Sequence, residues 1–219
     1  MNTSSQNEPG SIQFNGWKLR ERPPQATTSP RVLLLLHGWT GDEKVMWIFV
    51  RRFPVDYWML APRAPYQAGT DGYSWHARQA GLRATLDDFR PAMTQLLDLV
   101  DSFSRLHHID SSRFSLMGFS QGAAMALCFG LSYPQRVDRI ACLAGYLPQG
   151  CQTLLDDRPL AGKQVYVAHG TQDDRVPIAY ARSTVEQLDL SGARVTYCES
   201  EVGHKLSADC LHGLEAFFA

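Results

Sequence analysis

Gly118-Phe119-Ser120-Gln121-Gly122 sets one hydroxyl between two glycines, after the apolar run 114–117 and ahead of Ala123, Ala124 and Ala126. A serine is a weak nucleophile until a base takes its proton. A strand-to-helix turn tight enough to expose it forces unusual backbone angles and crowds the residues on either side, so positions 118 and 122 need glycine. The small residues that follow let the helix approach neighbouring strands. The serine also falls at that helix's N-terminus, where N–H groups favour developing negative charge. This spacing points to a nucleophile elbow and to acyl transfer.

Such chemistry needs an acid and a histidine, in that order, each after a later strand. The run 165–168 is followed by His169-Gly170-Thr171-Gln172-Asp173-Asp174. Both aspartates qualify by position. The next strand, about 193–199, leads through Val202-Gly203 to His204, the base. Two backbone N–H donors must hold the oxyanion. One belongs to Gln121, the residue after the serine. The other belongs to Trp39, in the loop after the run 31–36, where Gly38 allows close backbone approach. Asp42 and Glu43 suit the first turn of a helix that follows. His37 and His169 end strands directly before glycine and read as loop-holding groups. His107 and His108 read as surface residues at a helix end, His76 as a loop residue and His212 as part of the last helix. No histidine or cysteine spacing suggests a metal site, and the reaction needs no cofactor.

The elements that must position these groups are legible as runs. Residues 31–36, 57–60, 114–117, 140–143, 165–168 and 195–198 are apolar without alternation, as strands buried on both faces of a parallel sheet are. Between them, helices are predicted over about 42–53, 87–106, 121–132, 178–190 and 206–218. Leu86, Phe89, Met93, Leu96, Leu97, Val100 and Phe103 repeat at helical spacing and face the sheet. Strand–helix alternation means an α/β domain with its site at the strands' C-terminal ends. Residues 12–22 read as an opening hairpin turning at Asn15-Gly16, 23–30 as a loop and 1–11 as a disordered terminus. One domain over 12–219 results.

At 219 residues, 44% hydrophobic and net charge -1, the chain can bury a large core but has no field to attract nucleic acid. The run 32–36 is too short to span a bilayer, and the polar start has no leader pattern. A cytoplasmic protein acting on a small-molecule ester is expected, as a monomer or homodimer. Five cysteines, an odd number without a C-x-x-C pair, read mostly as buried thiols rather than a disulfide framework.

The pieces HGWTGDE (37–43), APRAP (61–65), GYSW (72–75), GFSQGAAMAL (118–127), LAGYLP (143–148), HGTQDDRVP (169–177) and VGH (202–204) follow one another over nearly the whole chain after residue 30. Together they resemble the α/β-hydrolase fold and, within it, the phospholipase/carboxylesterase family of bacterial carboxylesterases and acyl-protein thioesterases. The resemblance implies a mostly parallel, doubly wound sheet flanked by helices. It puts the acid on Asp173 rather than Asp174. It also implies that Ser74, Trp75, Tyr146 and Leu147 lie near the acyl pocket; Trp39 is a further candidate for contact with substrate. His76-Ala77 depart from the aromatic and acid that often follow the Ser-Trp pair, and Trp39 is bulkier than usual for its position. No long helical insertion separates Ala144 from Lys163, so no large lid is expected. The resulting expectation is cleavage of short to medium acyl esters through an acyl-enzyme. Thioesters or lysophospholipids are alternatives with the same triad, and a non-catalytic ligand-binding protein is the alternative of another class. A peptidase of this fold commonly adds a propeller, for which the chain has no room.

Overall fold

The computed structural model of the chain describes residues 10–25, 27, 29–77 and 84–219. Its centre is an eight-stranded sheet ordered β1-β2-β4-β3-β7-β8-β9-β10. These strands are β1 (Gly10–Phe14), β2 (Trp17–Arg22), β3 (Arg31–Leu36), β4 (Tyr57–Pro62), β7 (Phe114–Phe119), β8 (Val137–Leu143), β9 (Gln164–Gly170) and β10 (Arg194–Ser200). The hairpin β1–β2 is antiparallel and joins β4 antiparallel; every pair from β4 to β10 is parallel. It turns at Asn15-Gly16, both at positive φ. Gly10 and Ser11, assigned by composition to a disordered terminus, instead pair with Glu21 and Arg20; residues 1–9 lie outside the described residues.

Unbroken apolar runs are explained by burial on two faces. Along β3, Val32, Leu34 and Leu36 enter one core cluster while Leu33 and Leu35 enter the other. On the first face lie α1 (Leu86–His107), α2 (Gln121–Ser132) and Leu188 of α3 (Ile178–Leu190); on the second lies α4 (Ala208–Phe218). Thr85 starts α1 with a capping box, its N–H donating to the Asp88 carboxylate at 2.7 Å. Residues 121–131 of α2 are all buried, which is why this helix is apolar all round rather than striped. His107, expected at the surface, is half-buried against Phe103 and Trp58, with ring centroids 4.2 and 4.6 Å away.

Three further differences from the sequence reading have physical causes. The helix expected over 42–53 is one 3-10 turn, Val45–Phe49. Glu43 does not serve a helix start there: its fully buried carboxylate binds Arg63 through two hydrogen bonds, of 2.8 and 3.2 Å. A short second sheet, β5 (Tyr66–Ala68) with β6 (Gly72–Ser74), was not anticipated, since such short strands give no periodic signal. Finally, Cys198 and Cys210 form a disulfide across 12 residues of sequence, while Cys128, Cys142 and Cys151 are buried free thiols.

Candidate active site

The elbow has the geometry its composition demands. Ser120 follows β7 and caps α2 at φ 53°, ψ -116°, a conformation that L-residues adopt only under strain. Its N–H is held by the Leu143 carbonyl at 2.8 Å. A Cβ on Gly118 would stand 2.1 Å from the Gly122 oxygen, and one on Gly122 would stand 2.0 Å from the Leu36 oxygen. Both glycines are thus required by the turn and by its contact with β3. Ser120 is half-buried.

Asp173 and His204 come from the loops after β9 and β10, which are neighbouring parallel strands. His204 Nδ1 lies 2.6 Å from Asp173 Oδ2. The other carboxylate oxygen, Oδ1, accepts from the backbone N–H groups of Arg175 and Val176, each at 2.9 Å. Burial alone would raise the pKa of this carboxyl. The Val176 N–H, His204 and the Arg175 N–H outweigh burial and hold Asp173 below the ordinary aspartate value. Asp174 is exposed. Between the two strand ends, Gly170 is needed because a Cβ there would stand 2.1 Å from the Val202 oxygen. His169 donates from Nε2 to the Val176 carbonyl at 2.7 Å, the loop-holding part expected of it.

His204 and Ser120 share neighbours. The imidazole packs on Phe119, the residue before the serine, with centroids 4.9 Å apart. Gly38 lies against Ser120: a Cβ there would be 3.4 Å from the serine Cβ. Gly38, Trp39, Phe119 and His204 line one cavity. No hydrogen bond joins the Ser120 hydroxyl to His204; hydrogen bonds of this kind are commonly long until substrate is bound.

The loop of Trp39 is oriented from below by His37. Ala64 N–H donates to His37 Nε2 at 3.0 Å, so that nitrogen is unprotonated and Nδ1 carries the proton. Nδ1–H donates to the Gly38 carbonyl at 2.8 Å, and Gly41 N–H reaches the same oxygen at 3.0 Å. Burial keeps His37 neutral by lowering its pKa. With the Gly38 carbonyl turned toward His37, the trans peptide directs the Trp39 N–H the opposite way. Among the described residues that N–H meets no acceptor. The Gln121 N–H, the first of α2, is likewise without an intrahelical partner.

Sequence reasoning missed the clamp around this loop. Thr40 N–H donates to the Tyr73 carbonyl at 3.0 Å, and Tyr73 N–H to the Gly41 carbonyl at 3.1 Å, so β6 extends onto the loop. Arg63 ties the two together, binding Glu43 and donating to the Tyr73 hydroxyl at 2.8 Å. The signal for it was present in the APRAP and GYSW pieces, which carry Arg63 and Tyr73.

The four residues expected near the acyl pocket divide. Trp75 is fully buried; its indole N–H donates to the His37 carbonyl at 2.7 Å and its backbone N–H to Gln121 Oε1 at 3.0 Å. Ser74 is buried as well, accepting from Gln121 Nε2 at 3.0 Å. That amide also meets His76 Nε2 at 2.9 Å, so this loop residue is buried in the wall behind the elbow. These groups brace Gln121 instead of offering surface to a ligand. Leu147 is buried with its N–H donating to Thr184 at 2.8 Å, and Tyr146 is half-buried, its ring 6.3 Å from that of Tyr180.

Known proteins resemble this chain in sequence and in fold. A family model described as phospholipase/carboxylesterase matches residues 23–219. Acyl-protein thioesterase 1 of Mycosarcoma maydis is 28% identical over 189 residues, spanning 75% of this chain and 78% of its own. The carboxylesterase of Bacillus cereus superposes with a TM-score of 0.82 at 22% identity, covering 92% of this chain and 93% of that one. Esterase PE8 superposes at 0.76 with 26% identity, covering 90% and 95%.

Proposed function

Since the chain belongs to the phospholipase/carboxylesterase family, we propose that it hydrolyses carboxylic esters by a serine mechanism with Ser120 as nucleophile, His204 as base and Asp173 as its orienting acid. The observation that carries this reading is the 2.6 Å Asp173–His204 contact beside a serine held at positive φ. In the reaction, His204 takes the Ser120 proton as Oγ bonds to the acyl carbon. The N–H groups of Trp39 and Gln121 hold the oxyanion. His204 then gives its proton to the departing alcohol oxygen as the carbon–oxygen bond breaks. Water, activated by the same imidazole, cleaves the acyl-enzyme. Asp173, held ionised by its backbone donors, stabilises the imidazolium formed midway.

A thioester substrate is the second reading, favoured by the similarity to an acyl-protein thioesterase; the same groups would serve it. No helix among the described residues is long and apolar enough to cross a membrane. A cytoplasmic location and a small-molecule substrate belong to this proposal, as does one domain over 12–219. Ser120→Ala should lower ester turnover at least about a thousandfold with an unchanged circular dichroism spectrum, and it should abolish labelling by a fluorophosphonate. A wild-type protein that takes no label would favour a non-catalytic binding protein instead.

A further inference from the structure

Trp39, Val45 and Ile48 are large apolar side chains standing 48%, 43% and 59% exposed. With Phe49, Phe119 and Leu206 they line one open groove of about 400 Å³, and His204 forms part of its wall. Single exposed apolar residues are ordinary; several gathered in a concavity against a reactive group mark a ligand subsite. The floor is continuous with the imidazole: Phe49 stacks on Phe119 at 5.7 Å, and Phe119 packs on His204 at 4.9 Å.

We propose that this groove holds the leaving group of the substrate, an alkyl or aryl alcohol, and not its acyl chain. The inference rests on the esterase reading above. Its direction comes from the proton. Asp173 occupies His204 Nδ1, so Nε2 alone can protonate the departing oxygen. That oxygen must lie within hydrogen-bond reach of the imidazole. The group attached to it then extends along the surface that the imidazole borders, which is the groove. The acyl carbon sits on the other side of that oxygen, against Ser120 and the oxyanion donors. The lining also sorts leaving groups. Apart from His204, Lys205 is the one ionisable group among the residues lining it. The zwitterionic headgroup that leaves a lysophospholipid would be set against mainly apolar side chains and lose hydration without replacement. An alkyl or aryl body loses nothing there. The step needs no further reactant: the Ser120 Oγ–carbon bond forms, the carbon–alcohol oxygen bond breaks, and the serine proton travels through His204 to the alcohol.

The test measures kcat/KM for two series on the purified protein. One keeps the acetyl group and lengthens the alcohol from ethyl to hexyl; the other keeps p-nitrophenol and lengthens the acyl chain from acetyl to hexanoyl. Ile48→Asp and Val45→Asp change exposed positions, and circular dichroism checks that both fold. The wild type should prefer the hexyl over the ethyl ester. Each variant should lower that hexyl-to-ethyl ratio about tenfold while moving the hexanoyl-to-acetyl ratio by less than about twofold. A fall confined to the acyl series would seat the acyl chain in the groove and overturn the proposal. Equal ratios in the wild type and both variants would also overturn it. A protein that cleaves esters without regard to the alcohol fails this inference alone; one that cleaves none and takes no fluorophosphonate fails the esterase reading itself.

Discussion

At the scale of single residues, the two adjacent aspartates carry the sharpest contrast. Position alone left Asp173 and Asp174 equivalent as acids, and only the family resemblance favoured the first. Burial separates them: Asp173 is 6% exposed and gathers two backbone N–H groups and His204, whereas Asp174 faces solvent. Asp173→Asn should lower kcat/KM by about 10⁴ through loss of the imidazole's orientation, and Asp174→Asn should change it less than about threefold. Steady-state rates on one ester decide this, and the reverse ranking would move the acid by one residue. A pH consequence follows from the same carboxyl. Its folded pKa is depressed from 3.8, so its contribution to stability is complete above that value and is lost as pH falls through the lower folded value. Urea unfolding of Asp173→Asn should therefore show a shallower acid limb below about pH 4 than the wild type. The proposed catalytic residues could be picked out because Ser120, Asp173 and His204 each follow a strand. The bracing of Gln121 by Ser74 and His76 could not, since hydrogen bonds between residues 45 to 47 apart leave no local trace.

At the scale of elements, long runs read well and short ones did not. Strands β3, β7, β8 and β9 announced themselves by unbroken apolar stretches, and α1 by its periodic face. The segment 42–53 misled because Asp42 and Glu43 ahead of the apolar run 45–50 suit a helix start, yet a buried ion pair at Glu43 and the Trp47 indole bond to the Glu43 carbonyl hold it to a single turn. Glu43 is the hinge of that difference. Its partner Arg63 also grips Tyr73 on β6, so one ion pair joins the loop that carries Trp39, the end of β4 and the small second sheet. Glu43→Gln should destabilise the protein by about 3 kcal/mol, because it leaves Arg63 partly uncompensated in a desolvated site. A thermal midpoint lowered by roughly 6–12 °C is the expected reading for a domain of this size. An unchanged midpoint would mean that the pair adds nothing to stability.

At the scale of the whole molecule, the three proposed groups arise from three separate parallel strands, and one sheet sets their distances. The alternation of strand and helix was enough to anticipate this layout, and with it the edge at which the loops meet. Cysteine count and spacing hid the cross-link, because Cys198 and Cys210 become neighbours only when α4 folds back on β10. Between them lies His204. Closing a loop of this length stabilises by about 3 kcal/mol, so Cys198→Ser should lower the urea midpoint accordingly, and a wild type treated with a thiol reductant should follow it. The bond thus gives one polypeptide two covalent forms, distinguished by the company it has kept. A preparation dialysed against dithiothreitol and one exposed to air are different reagents, and rates from the two belong in separate columns until thiol titration shows which was in the cuvette.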